Sequence, residues 1–165
     1  MAVAAKSSGT LGNDRLRISF GKTPEDITMS QPDFDTLRKN FFAGQLYAVA
    51  GASTNRDKYG NITLRWYLEK NWKVMPLNPA QSEIEGLPAY PFLQACPEVP
   101  HGISLVTPPQ VSLKLTRDAI ELGVKALWFQ PGAEHPEAIA EAIAAGLTVI
   151  ANGPCILVSG LRNNS

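Results

Sequence analysis

Five short apolar runs recur along this chain: LYAVA (46–50), WKVMPLN (72–78), GISLVT (102–107), KALWFQ (125–130) and TVIA (148–151). Each is too short for a typical helix and apolar nearly throughout, the pattern of strands covered on both faces. Segments of helical period separate most of them, and parallel neighbours need such crossovers because a tight turn joins only antiparallel strands. The expected fold class is therefore α/β: a doubly wound, Rossmann-like parallel sheet of five strands with helices on both faces. Right-handed crossovers point to the order 3-2-1-4-5, numbering the runs along the chain.

The connecting segments carry their own signals. PDFDTLRKNFF has Asp33 as candidate N-cap, with Phe34, Leu37 and Phe41 on one face of a short helix. GNITLRWYLEKN (60–71) spaces Ile62, Trp66 and Glu69 helically. The helix opened by Pro108–Pro109 aligns Val111, Leu115, Ala119 and Leu122 as a buried face and stops at Gly123. HPEAIAEAIAAG (135–146) repeats the pattern with Ile139, Ala142 and Ile143. Between 80 and 100 the turn formers Gly86, Pro88, Pro91, Pro97 and Pro100 leave room for a short strand near Leu87 and one helical turn near 92–95.

Residues 1–32 stand apart from this rhythm and are expected to be an extension to a single domain spanning 33–165. Up to Pro24 the extension carries Lys6, Arg15, Arg17 and Lys22 against Asp14 alone. The readings are a disordered tail, a mitochondrial transit peptide, or a leader before a true start at Met29. The expected location is the cytoplasm, or the mitochondrial matrix if residues 1–28 are a transit peptide.

Charge and cysteine content exclude several function classes. Fifteen Lys+Arg balance fifteen Asp+Glu, so there is no basic excess to attract nucleic acid or an anionic membrane. No apolar stretch approaches the roughly 18–20 residues that span a bilayer. Cys96 and Cys155 lie far apart, with only His101 and His135 as possible co-ligands, which is not the paired spacing of a zinc site. Both are expected to be reduced thiols, and no metal is expected.

In a doubly wound sheet ligands bind beyond the carboxyl ends of the strands, at the switch point. The loop after the first run, VAGASTNRDKYGN (49–61), combines Gly51 and Gly60 with the hydroxyls of Ser53 and Thr54, the cations Arg56 and Lys58, and a helix N-terminus. These are the ingredients of a phosphate site. On this reading a valine at Gly51 fills the phosphate position and leaves the fold intact. The loop is no dinucleotide fingerprint, because GxGxxG demands glycine where Ser53 and Arg56 stand. The second run also ends Leu77–Asn78–Pro79, without the acid that grips an NAD ribose. GxxxxGK[ST] is absent as well.

Taken in order, GAS and KYGN, VMPLNP, LVTPPQ, ALWFQPGAEHPEA and GLTVIANGPCIL resemble the stand-alone CoA-binding domain proteins. These are similar to the N-terminal, CoA-binding domain of the succinyl-CoA synthetase alpha subunit. The resemblance covers about residues 40–158. It implies a phosphate loop at Gly51, Ala52 and Ser53 running through Arg56 and Lys58 to Tyr59 and Gly60. It further implies an adenosine end flanked by Asn78 and Pro79 and walled by Thr107, Pro108 and Pro109. A pantetheine side lined by Gln130, Gly132, Asn152 and Cys155 completes the implied site. Relatives more often carry a charge where Pro154 stands.

The resemblance implies CoA or an acyl-CoA as ligand. In the synthetases the phosphorylated histidine sits in a second domain, which is not expected within these 165 residues. His101 precedes a strand, at the end opposite the ligand, and His135 before Pro136 reads as a helix cap. No Ser–His–Asp set or Gly-x-Ser-x-Gly elbow is present. Cys155 is placed to meet a CoA thiol or, more simply, to pack beneath the last loop. The expectation is a CoA-binding protein without catalytic residues of its own, with a protein partner or homo-oligomer left open. The alternatives are a nicotinamide oxidoreductase, an acyl-CoA-processing enzyme using the same loop, or a structural subunit.

Overall fold

The computed structural model describes residues 32–159, and the readings of the N-terminal extension fall outside them. The elements run α1 (Phe34–Phe41), β1 (Leu46–Ala50), α2 (Tyr59–Glu69), β2 (Lys73–Leu77), β3 (Glu83–Ile84), β4 (Leu87–Pro88), a 3₁₀ turn (Leu93–Ala95) and β5 (Gly102–Leu105). Then follow α3 (Pro109–Leu122), β6 (Ala126–Phe129), α4 (Pro136–Ala144), β7 (Thr148–Ile150) and α5 (Ile156–Ser159). The five apolar runs are the five strands of one parallel sheet.

Their order is β2-β1-β5-β6-β7. In terms of the five runs this is 2-1-3-4-5, not the expected 3-2-1-4-5. The cause lies in residues 78–101, where no amphipathic helix announces a face. The chain leaves β2, turns through the β3–β4 hairpin, and pairs Tyr90 beside Leu77 at the outer edge of β2. Leu93 then packs with Ala48, Ile103 and Leu105, on the side of the sheet opposite α2. A right-handed crossover on that opposite side reverses the direction of travel, so the third run arrives next to β1. Pro76, which has no N–H to give a ladder, is tolerated because β2 is an edge strand.

Strand residues alternate between two cores, as the pleat requires. Tyr47, Val49, Ala126 and Trp128 face α1, α2 and α5, whereas Ala48, Ala50, Leu127 and Phe129 face α3 and α4. The first side is rich in rings: Phe41 packs edge-on to Trp128 at 5.3 Å, and Tyr47 stacks on Tyr67 at 5.5 Å. Each wholly buried ring of this kind contributes about 1.5–3 kcal/mol. Two polar groups inside this side are paired, Tyr67 Oη with Ser104 Oγ at 2.7 Å and Trp128 Nε1 donating to Pro154 O.

The helix ends behave as their residues dictate. Gly123 closes α3 in the left-handed conformation at φ 88°, donating to Ala119 O and Ile120 O. His135 caps α4, its Nδ1 accepting from Glu137 N, and His101 gives Nε2 to Asn40 O at the amino end of β5. The apolar stripe expected on α3 is only partly a core stripe. Ser112, Thr116 and Ala119 are its buried positions, while Val111 stays 45% exposed.

Candidate functional site

The site is built where β1 and β5 lie side by side and the chain leaves them in opposite directions, to α2 and to α3. Gly51 ends β1 at φ 84°. A Cβ there would lie 2.8 Å from the Val106 carbonyl carbon and nearer still to its oxygen. Gly60, in the first turn of α2, meets the Gly51 carbonyl group just as closely. These glycines therefore let three backbones touch one another. This corrects the expectation for a valine at Gly51: the side chain would strike the β5–α3 connection before any ligand.

From this contact the loop after β1 is held in place by side chains from elsewhere. Asn78 donates through Nδ2 to Ala52 O at 2.8 Å, while its Oδ1 accepts from Ala80 N and Gln81 N. Buried Asn61 donates to Ser53 O at 2.8 Å and to Glu85 Oε2 at 3.0 Å. Arg65 donates to Asn61 Oδ1 at 2.7 Å and to Arg56 O at 2.9 Å. Within the loop, Ser53 Oγ accepts from Asn55 N and Asn55 Oδ1 accepts from Asp57 N, two successive side-chain turns. The first turn of α2 carries no acid of its own, and exposed Lys58 occupies its N-cap position.

Beside this loop a cleft of about 560 Å³ opens at the carboxyl edge of the sheet. Gly51, Asn78, Pro79, Thr107 and Pro108, all expected from the sequence, line it. The Thr107 hydroxyl is shared with Ser112 Oγ at 2.7 Å. Phe92 and Val111, at 54% and 45% exposure, form apolar walls, and Lys114 with Asp118 makes a 3.1 Å ion pair on α3. Sequence reasoning missed these four. The spacing puts Val111 on the buried face of its helix and Phe92 in a single helical turn; a helix face carrying Val111, Lys114 and Asp118 together is the available signal of a partly solvated wall.

The remaining expected residues fall elsewhere. Pro109 begins α3, and Ala52 is buried with its carbonyl held by Asn78. Arg56 and Lys58 are exposed on the loop. Tyr59 meets Cys155, and burial followed by that thiol's proximity pushes the phenol above its ordinary range. Gln130 is wholly buried, its Oε1 accepting from Ile156 N at 2.9 Å, so it orients the last loop from beneath. Gly132 donates its N–H to Glu134 Oε1, and Asn152 is an exposed left-handed residue at φ 58°. Cys96 and Cys155 are free thiols, and among the described residues no three His, Cys, Asp or Glu side chains gather as metal ligands. No helix of the described residues is long and apolar enough to cross a membrane.

The pattern of the CoA binding domain matches residues 45–160. Solved structures agree with it. A conserved hypothetical protein from Pyrococcus furiosus is 41% identical, covering 70% of this chain and 99% of its own, with a TM-score of 0.66. A hypothetical protein from Pyrococcus horikoshii OT3 is 28% identical over 81% of this chain and 94% of its own, with a TM-score of 0.76. The dinucleotide-forming acetyl-coenzyme A synthetase 1 of Ca. Korarchaeum cryptofilum is 28% identical over 70% of this chain, at a TM-score of 0.62. The match spans only 27% of that longer chain.

Proposed function

The chain belongs to the CoA-binding domain family, and on that premise we propose that it binds CoA or an acyl-CoA as a module without catalytic residues of its own. The observation that carries this reading is the pairing of an apolar cleft at the switch point with a cation-bearing loop at the start of α2. The cleft suits a flat, uncharged ring system: Phe92, Val111, Pro79 and Leu77 offer carbon surface, with few polar groups to fix its orientation. The loop suits phosphates, which Arg56, Lys58 and the free N–H groups of the first α2 turn can neutralise. Tyr59, Asn152 and Cys155 would border the pantetheine arm. CoA itself would bring the thiol on which any acyl group is carried.

The end of β2 argues against a nicotinamide dinucleotide. Asn78 occupies the place of the ribose-gripping acid, and its side chain is already spent on Ala52, Ala80 and Gln81. Calorimetric titration of the full chain with CoA, acetyl-CoA, dephospho-CoA, NAD and AMP tests the reading. Micromolar CoA binding with little for NAD is expected. The double variant Arg56→Ala/Lys58→Ala should lose more affinity for CoA than for dephospho-CoA if either cation meets the 3′-phosphate. Preference for NAD, or binding of none of the five, would overturn the proposal.

A further inference from the structure

We infer that Glu85 is a built-in counter-ion that holds Arg56 in the ligand-free protein and must release it when a phosphate-rich ligand enters. The inference rests on the CoA-binding reading and adds to it a residue that sets affinity. Glu85 lies outside both the loop and the cleft lining, at the tip of the β3–β4 hairpin. That hairpin turns through two successive left-handed residues, Glu85 at φ 50° and Gly86 at φ 79°. Such turns favour asparagine, aspartate and glycine. Glutamate is a poor occupant on conformational grounds, so what it contributes is its carboxylate.

The carboxylate has one fixed partner and one loose one. Oε2 accepts from Asn61 Nδ2 at 3.0 Å, and Asn61 is wholly buried and also tied to Ser53 O. Arg56 Nε approaches the same oxygen at 3.3 Å, with the arginine side chain 64% exposed against 21% for the glutamate. Arg65, the other arginine at the loop, is already committed to Asn61 Oδ1 and Arg56 O. Arg56 is thus the guanidinium that can change partner without dismantling the loop.

The energetics favour that exchange only for a strongly anionic ligand. A solvent-exposed ion pair of this kind is weak, and a phosphate offers a guanidinium a shorter, two-pronged contact. Glu85 stays behind, anchored by Asn61, and its charge repels the incoming anion. A ligand with a single phosphate recovers little beyond what Arg56 gives up. One with several gains enough to complete the switch, although it meets the whole cost of releasing Arg56 and the stronger repulsion.

Glu85→Gln tests this, because the amide oxygen still accepts from Asn61 while the charge is gone. Calorimetric titration should show CoA binding tighter by about threefold to tenfold at low salt, with the gain fading as salt screens the site. AMP, which does not complete the switch, should gain no more than CoA, and an Arg56→Ala background should shrink the gain to what relief of the repulsion alone supplies. Glu85→Asn suits the turn better and should behave alike, so a folding defect in one variant would not obscure the result. Unchanged or weaker CoA binding in both variants, with wild-type unfolding midpoints, would overturn the inference while leaving CoA binding intact. A wild-type chain that binds no CoA would overturn the functional reading and this inference together.

Discussion

Replacing Gly51 by alanine probes the contact on which the site is built. At φ 84° an alanine incurs about 1–2 kcal/mol for the left-handed conformation alone. Its Cβ would also sit 2.8 Å from the Val106 carbonyl carbon, a backbone atom that no rotamer change can move aside. Relief requires the ends of β1 and β5 to part, at an overpacking cost of about 1–3 kcal/mol. Parting them also weakens the 2.9 Å hydrogen bond from Val106 N to Ala50 O, worth about 1 kcal/mol. Together these give about 3–6 kcal/mol, or a fall in Tm of roughly 10–20 °C for a domain of this size. Gly123→Ala is the internal control. Its φ is 88°, but no atom lies within 4 Å of the added carbon, so only the conformational part, about 1–2 kcal/mol, applies. Urea unfolding without ligand, followed by circular dichroism, measures both. Equal destabilisation of the two variants would refute the close-approach argument and restore the view that Gly51 serves only the ligand.

Two further predictions follow from the interior. Tyr67→Phe and Ser104→Ala each strand one partner of a fully buried 2.7 Å hydrogen bond and should each cost about 1–2 kcal/mol. The double variant should cost less than the two together by about 1 kcal/mol, and additive losses in urea unfolding would show that the pair is not coupled. Burial raises the Cys96 thiol from 9.0 to about 11. The folded form therefore holds its proton more tightly than the unfolded form. This contribution to stability is full below pH 9.0 and is lost as pH rises towards about 11. Urea midpoints across that window should fall more steeply for wild type than for Cys96→Val, and parallel curves would remove Cys96 from the account.

What the sequence determined by itself is whatever depends on neighbours along the chain. LYAVA and the four other apolar runs became the five parallel strands, because an unbroken apolar stretch of that length is stable only when covered on both faces. Trp128 and Phe129 went to opposite cores through the pleat, and Gly123 and His135 ended and began their helices by local hydrogen bonding. Gly51 was traceable to the crevice because ligands bind beyond the strand ends of a parallel sheet, whereas Asn78, Pro79, Thr107 and Pro108 were traceable to it through the family resemblance.

Only the tertiary structure decided what lies against each face. Val111 has the spacing of a core residue, yet no element among the described residues covers it, since periodicity tells which residues share a side of a helix and not what they meet. The strand order turned on the face taken by residues 78–101, where handedness is dictated but the choice of face is left to packing by Leu93. Glu85 and Gln130 are the same case in polar form. Their partners, Arg56 with Asn61 and Ile156, lie more than twenty positions away, and only the folded chain brings such charges and amides together.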